Sequence, residues 1–127
     1  MNTHQAGQKG EAWAAAYLRR RGYRVLARNY RVPSGEIDLI LQRGNLLVFA
    51  EVKSRRGGGK GSPLEAVSPR KVARISAAAA AYLAEHQLQG RDCRFDVVTL
   101  GPDKGLLGFL KIRHYPNAFE SGGHFLV

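Results

Sequence analysis

The sequence predicts an α/β domain with a central mixed sheet flanked by helices, in the order helix, three strands, helix, strand. Three observations support this prediction: an opening segment rich in helix formers, apolar runs separated by short turn signals, and a long alanine-rich segment behind a Ser-Pro pair. No internal repeat or linker divides the 127 residues. We therefore expect a single domain spanning 1–127, with a core over about 7–114 and flexible tails at 1–6 and 115–127.

The first helix is predicted over residues 8–21, QKGEAWAAAYLRRR. Trp13, Ala16 and Tyr17 fall at the three- and four-residue spacings of one helix face. Gly22 then supplies a C-terminal stop.

Three strands follow. In YRVLARNYRV, Tyr23, Val25 and Ala27 alternate with Arg24, Leu26 and Arg28. This alternation of mainly apolar with mainly basic side chains predicts a partly exposed strand. The turn signal PSG separates it from EIDLILQ, and a tight hairpin at Gly44 joins that strand to NLLVFAEVK.

The segment SRRGGGKGSP, residues 54–63, is basic and rich in glycine, which invites a phosphate-loop interpretation. That motif requires Gly, four residues and then Gly-Lys-Ser/Thr. Here Gly61 follows Gly59-Lys60, and Ser54 stands five positions before Gly59, so the spacing fails. We expect a mobile loop instead.

The second helix begins at Ser68-Pro69, with Ser68 as the N-cap and Pro69 in the first turn. Its core-facing stripe is predicted to comprise Val72, Ile75, Ala79, Tyr82 and Leu83. CRFDVVTL reads as a further strand, and GLLGFLKIRHY as a candidate edge strand before a polar tail.

The positive charge is unevenly distributed along the chain. The formal net charge is +10, from 20 Lys and Arg against 10 Asp and Glu, and residues 1–74 hold 15 of the former but 5 of the latter. Such a field attracts polyanions, nucleic acid first and an anionic membrane surface second. A merely soluble basic surface is the alternative, because charge alone does not specify a partner.

The composition also excludes some classes of protein. A single cysteine, Cys93, rules out an internal disulfide and a cysteine-based zinc cage. The N-terminus lacks an export-signal pattern, and the most apolar run, ISAAAAAYLA, is shorter than the about 20 residues that span a bilayer. We therefore expect a cytoplasmic protein without a membrane partner.

Charged residues stand inside two otherwise apolar strands: Asp38 in EIDLILQ, and Glu51 and Lys53 in LLVFAEVK. A hairpin centred near residue 44 places Asp38 opposite position 50 or 51, and therefore beside Glu51. Strand alternation directs Glu51 and Lys53 to the same face. Because adjacent buried carboxylates repel each other, a cation must offset their charge.

A divalent metal ion suits this pair. Mg²⁺ (or Mn²⁺) is commonly held by one or two carboxylates, which fits Asp38, Glu51 and the backbone carbonyl of Val52. Lys53 would then orient a metal-activated water or neutralise phosphate charge. A cross-strand salt bridge at a solvated edge is the alternative, worth at most about 1 kcal/mol. Glu36, on the face of Asp38, is either a further ligand or an exposed edge charge.

The succession of Asp38 and Glu51-Val52-Lys53 resembles the signature of the PD-(D/E)XK nuclease superfamily, and the order of elements is that of its core. The segments GEAWAAAYLRRRGYRVLARNYR, GEIDLI, LVFAEVKSR and RFDVV are more closely similar to the YraN-like family of small bacterial predicted endonucleases. That family is in turn similar to archaeal-type Holliday junction resolvases. The resemblance covers about residues 7–100.

This resemblance implies a restriction-endonuclease-like core and assigns roles to four residues. Asp38 and Glu51 would be metal ligands, Lys53 the catalytic lysine, and Glu11 an additional carboxylate of the site. One departure is visible, because Ile37 rather than proline precedes Asp38, at a position that varies across the superfamily.

Basic side chains flank the predicted site. Those expected to contact nucleic acid are Arg55, Arg56 and Lys60 in the glycine loop and Lys71 and Arg74 on the second helix. A disordered loop and a solvated helix face are the respective alternatives. We expect a structural role for Asp96 and assign none to the four histidines, which show no ligand spacing.

Together these expectations describe a Mg²⁺-dependent endonuclease acting on DNA, as in repair or recombination. No motif for reading bases is visible, so branched or single-stranded DNA is the expected substrate. A non-catalytic nucleic-acid-binding protein that retains the fold is the main alternative, and a ribosome-associated RNA-binding protein is a third. Cleavage of both strands by a domain with one site would require a homodimer.

Overall fold

The computed structural model describes residues 3–54, 67–102 and 110–121. Within them, a five-stranded sheet and two helices confirm the predicted mixed α/β class and element order, including the candidate edge strand before the C-terminal tail. The elements are α1 (Thr3–Arg20), β1 (Arg24–Val32), β2 (Gly35–Arg43), β3 (Leu46–Ser54), α2 (Pro69–Glu85), β4 (Cys93–Pro102) and β5 (Leu110–Phe119). The strands lie in chain order; β3 and β4 are parallel, and the other neighbours are antiparallel.

The two helices cover opposite faces of the sheet, because side chains alternate along each strand. On β3, Val48 and Ala50 pack in the cluster that includes α1, whereas Leu47 and Phe49 pack in the cluster that includes α2. The sheet is therefore buried on both sides, which explains its long apolar strands.

The buried face of α1 differs from the one that the sequence predicts. Ala14, Ala15 and Leu18 are buried against the sheet, while Trp13 is 50% exposed. Small side chains face the sheet because the helix lies close to it: a Cβ added at Gly10 would stand 2.8 Å from a Leu100 methyl carbon. A large indole on this face would hold the helix away from the strands.

The second helix follows its prediction. The Ser68 hydroxyl accepts a hydrogen bond from the Lys71 backbone N–H at 3.2 Å, and Pro69 occupies the first turn. Ile75, Ala79, Tyr82 and Leu83 are buried in the core, with Val72 partly buried beside them. Neither described helix combines the length and apolar character needed to cross a membrane.

Both ends of the described chain contain more regular structure than expected. Helix α1 begins at Thr3 rather than Gln8. Strand β5 continues to Phe119, past the expected core limit at residue 114, and remains paired with β4 as far as Phe95↔Phe119. The hydrogen bond from the Asn117 backbone N–H to Asp96, 2.9 Å, helps to hold this extension on the sheet.

The feature that positions the site is the separation of β2 from β3. Their pairing runs from Arg43↔Leu46 to Leu39↔Ala50 and stops one step before Asp38 and Glu51. On the β1 side, Asp38 lies across from Asn29, which has a left-handed backbone with φ of 52°. These two residues do not pair in the ladder between β1 and β2. Asp38 therefore occupies a gap in the sheet rather than a regular ladder position.

The start of β2 lies against α2 instead. A Cβ added at Gly35 would stand 1.8 Å from the backbone oxygen of Arg74, so this close approach requires glycine. The contact fixes α2 beside the gap at Asp38.

Candidate active site

Asp38 replaces a missing ladder hydrogen bond with its side chain. Its Oδ2 atom accepts a hydrogen bond from the Val52 backbone N–H at 2.7 Å. Burial raises the pKa of Asp38, and the nearby charge of Glu11 raises it further, although the bond from Val52 opposes both effects. The carboxyl group is thus held in place but is costly to ionise.

Glu51 is the more deeply buried member of the pair, at 5% exposure. Its carboxylate receives the Lys71 ammonium, with Nζ and Oε1 2.6 Å apart. Burial and then the charge of Asp38 raise the pKa of Glu51 to about 7. The Asp38 and Glu51 carboxyl groups also lie within hydrogen-bonding reach of each other, as the hairpin register predicts.

Glu11 places a further carboxyl group next to Asp38 from α1. It is only 8% exposed, and Asn29 and Asp38 are its polar neighbours. Burial raises the pKa of Glu11, despite the opposing effects of Asn29 and Arg28. Its Oε2 atom is buried without a hydrogen-bond partner among the described residues. An unsatisfied buried acceptor costs about 1–3 kcal/mol, so this oxygen indicates a missing proton or cation.

The two lysines near the carboxyl groups differ in their contacts. Lys53 is exposed at the end of β3, on the same face as Glu51. Lys71, expected to contact nucleic acid, instead touches the Glu51 carboxylate. Despite its partial burial, the contact with Glu51 raises the pKa of Lys71, so the ammonium stays charged. No local sequence signal predicts this contact, because it depends on the packing of α2 against β2.

A cavity of about 200 Å³ lies beside the carboxyl groups. The residues lining it are Glu36, Glu51, Ser68, Arg70, Lys71, Arg74 and Ile75. Glu36 is exposed and forms an ion pair with Arg31 at 3.5 Å, while Arg74 is exposed on α2. Arg55, Arg56 and Lys60 lie outside the described residues. A second cavity, about 730 Å³, lies between α2, β4 and β5 and is lined by none of the predicted site residues that the structure describes.

The donor set fits a hard cation held by few protein ligands. No three His, Cys, Asp or Glu side chains in the described ranges are grouped around one metal position. Asp38 and Glu51 are adjacent, however, and Mg²⁺ typically takes one or two carboxylates and completes its shell with water and carbonyl oxygens. The partnerless buried oxygen of Glu11 is consistent with an additional positive group in this position.

A second polar cluster, on the α1 face of the sheet, surrounds Asp96, which is fully buried. Arg94 donates from two nitrogens to its two oxygens, both at 2.8 Å, and His114 Nε2 lies 2.6 Å from Oδ2. Arg94 also donates to the Tyr23 hydroxyl at 2.6 Å. This arrangement fits the structural role expected for Asp96. The role of His114 was missed, because only the pairing of β4 with β5 brings it there.

We expect stability to fall as pH rises through the range in which Glu51 ionises. Its pKa is about 7 in the folded protein, whereas the unfolded chain has about 4.3. Between these values the folded state binds more protons, so raising the pH favours unfolding, by about 1–3 kcal/mol from this residue. Urea unfolding without divalent cations should show this decline, and Glu51→Gln should flatten it.

Glu85→Gln is the matched control for this measurement. Glu85 is exposed and accepts a hydrogen bond from the Tyr30 hydroxyl at 2.7 Å, far along α2 from the cluster. The control should keep the wild-type pH dependence. An unchanged pH dependence in Glu51→Gln would contradict the assignment of the proton to Glu51.

The fold and this site define a class: a mixed α/β domain with a buried carboxylate cluster where two central strands separate. The chain belongs to the family described as "Uncharacterised protein family UPF0102", whose sequence profile it matches over residues 10–100. The expected membership of the YraN-like family is thereby confirmed.

Bacterial relatives share most of their length with this chain. A UPF0102 protein of Symbiobacterium thermophilum is 47% identical over 121 residues, covering 94% of this chain and 99% of the relative. A UPF0102 protein of Moorella thermoacetica is 48% identical over 104 residues, covering 82% and 87% respectively. One from Geobacter sulfurreducens is 44% identical over 117 residues, covering 90% and 88%.

Proposed function

We propose that this protein is a metal-dependent endonuclease that hydrolyses DNA phosphodiester bonds and has a restriction-endonuclease-like core of the PD-(D/E)XK superfamily. One observation carries the proposal: two carboxyl groups, the buried one of Glu51 and the partly buried one of Asp38, meet in a gap of the sheet at a cost in stability. A protein that needed only a stable core would place apolar residues there.

The proposed ligands of Mg²⁺ or Mn²⁺ are Asp38, Glu51 and the backbone carbonyl of Val52. A cation bound there would supply charge stabilisation at the phosphate and a water of lowered pKa. Glu11 would place a further carboxyl group next to Asp38, whose pKa its charge raises. Glu36 is a less direct candidate ligand, because Arg31 already pairs with it.

Lys53 is the proposed catalytic lysine. It is exposed and lies two residues beyond Glu51 on the same face of β3, at the end of the strand. A flexible ammonium at that point can reach a phosphate oxygen or orient a water without itself being buried.

The proposed substrate is DNA held mainly by its backbone. The chain carries a formal net charge of +10, and Arg70, Lys71 and Arg74 line the cavity next to Glu51. Phosphate contacts of this kind position a duplex without reading its sequence. We therefore propose a preference for DNA structure, branched or single-stranded, with the protein acting in the cytoplasm and cutting both strands as a homodimer.

A specific observation favours a second candidate, a nucleic-acid-binding protein without catalysis. Lys71 already neutralises Glu51, and Val52 already donates to Asp38, so each carboxyl group has an internal partner. Such a protein would bind nucleic acid with a steep dependence on salt but would hydrolyse nothing.

A cleavage panel distinguishes the two candidates. Branched, flapped, single-stranded and linear duplex DNAs are incubated with purified protein in Mg²⁺, in Mn²⁺ and in excess chelator. The endonuclease proposal predicts cleavage in the metal-containing reactions and none with the chelator. Salt-sensitive binding with no cleavage of any substrate would reject it and leave the non-catalytic binder.

A further inference from the structure

The ion pair between Lys71 and Glu51 joins two groups of unequal mobility. The Glu51 side chain is 7% exposed and fixed in the core, whereas the Lys71 side chain is 39% exposed. The Lys71 backbone is anchored by its hydrogen bond to the Ser68 hydroxyl. The Lys71 side chain, however, is a flexible chain of four methylene groups. The ammonium can therefore leave the carboxylate, while the carboxylate cannot follow it.

The place to which the ammonium can move is the adjoining cavity. Lys71 lines the approximately 200 Å³ space together with the basic Arg70 and Arg74, the acidic Glu36 and Glu51, and the Ser68 N-cap at the start of α2. The three cationic side chains outnumber the two acidic ones, and together with the helix N-terminus they favour an anion. Lys71 thus contacts a buried carboxylate at the edge of a cavity whose net charge is positive.

A divalent cation on Glu51 would compete with Lys71 for the same carboxylate. Two positive groups in contact with one oxygen pair repel each other strongly in a poorly solvated position. With such a cation in place, the Lys71 ammonium would leave Glu51. The displaced charge is best stabilised by an anion in the cavity, and a nucleic-acid phosphate supplies one.

We propose that Lys71 couples the two binding events: it holds Glu51 in the free protein and moves to a phosphate when a divalent cation takes its place. This inference rests on the proposed function, since it uses the same metal position. Its consequence is reciprocal, because a cation that releases Lys71 strengthens nucleic-acid binding and bound nucleic acid strengthens cation binding by the same factor.

The test measures binding rather than cleavage. Anisotropy of a fluorescent four-way junction gives its affinity at constant ionic strength, in chelator and in Ca²⁺, an oxygen-seeking cation of equal charge. Calorimetry gives the Mn²⁺ affinity of the protein alone. Both are measured for wild type, Lys71→Ala, and Lys71→Met, which keeps much of the aliphatic stem. Arg70→Ala is the matched control: it removes one positive charge from the same cavity without touching the Glu51 pair.

In the wild type, Ca²⁺ should strengthen junction binding about tenfold, within the usual range of coupling between sites. Both Lys71 variants should lose most of this gain, and their Mn²⁺ affinity without DNA should rise roughly fivefold because the competing ammonium is gone. Arg70→Ala should bind the junction more weakly in both conditions but keep the gain. Thermal unfolding of each variant verifies that it is folded.

The outcomes separate this inference from the endonuclease proposal. A protein that cleaves DNA but shows the same Ca²⁺ gain in the Lys71 variants overturns the inference alone. Unchanged or weaker Mn²⁺ binding in those variants also overturns it, since Lys71 would then be only a structural partner of Glu51. A protein that cleaves nothing but shows the predicted loss of coupling supports the inference. A wild type that binds no divalent cation overturns both.

Discussion

Replacing Asp38 by Asn should lower metal-dependent DNA cleavage by about 100- to 1000-fold, the usual loss when one preorganised electrostatic group leaves an active site. The amide retains an oxygen in the position that accepts the Val52 N–H at 2.7 Å. The separation of β2 from β3 is therefore preserved, and the variant loses a negative charge rather than its fold. Junction binding in chelator should stay near the wild-type value.

Lys53→Ala should reduce cleavage to a similar extent for a different reason. Lys53 is exposed and contributes no core packing, so its removal leaves the carboxylate cluster and stability unchanged. The two variants are compared by single-turnover cleavage of whichever DNA the wild type cuts.

Glu85→Gln serves as the control for Asp38→Asn, because it makes the same change of charge on an exposed residue at the other end of α2. It should cleave at the wild-type rate. If Asp38→Asn or Lys53→Ala cleaved as well as this control, the proposed catalytic site would be wrong. A loss of fold in Asp38→Asn, seen by circular dichroism, would show that the charge of Asp38 serves stability rather than catalysis.

The largest expected effect on stability is at Asp96. Asp96→Ala would leave the guanidinium of Arg94 and the ring of His114 without the buried carboxylate that both contact. Removing one partner of a buried ion pair costs about 3–5 kcal/mol, a large share of the roughly 5–15 kcal/mol that stabilises a domain. Urea unfolding should show this loss, with the C-terminal half of β5 losing its attachment to the sheet.

Asp92→Ala is the control, since Asp92 is an exposed acid four residues earlier. It should change the free energy of unfolding by no more than about 0.5 kcal/mol. An equally small change in Asp96→Ala would contradict the structural role of the cluster.

The Asp96 cluster also predicts the response of the protein to acid. Burial by itself would raise the pKa of Asp96, but the hydrogen bonds from His114, Arg94 and Asn117 outweigh it and hold the pKa below its ordinary value. The stabilisation by Asp96 is therefore present at neutral pH and is lost as pH falls below about 4, toward the depressed pKa.

The contacts that could be predicted from the sequence are those set by neighbouring segments. The short turn at Gly44 fixes the register of β2 and β3, and alternation then fixes which residues share a face. For that reason the proximity of Asp38 and Glu51 follows from spacing alone. The N-cap role of Ser68 could be predicted for the same reason, because its hydrogen bond joins residues three positions apart.

The contacts that were missed depend on how distant elements pack. Lys71 reaches Glu51 only because Gly35 lets α2 approach β2 closely, and His114 reaches Asp96 only through the pairing of β4 with β5. The buried face of α1 was predicted incorrectly because alanines occur all around that helix. The spacing of apolar residues therefore cannot distinguish alanines that pack against the sheet from alanines that face solvent.

The strand order has a consequence for self-association. Among the described residues, strands β1 and β5 form the two edges of the sheet, and the backbone groups of edge strands can pair with another chain. Exposed Arg24, Arg28 and Arg31 lie on β1, and exposed Lys111 and Arg113 lie on β5. Like charges on both sides repel another copy from joining strand to strand. A second molecule would therefore approach more favourably through a helical face, without adding a strand to the five of the described sheet.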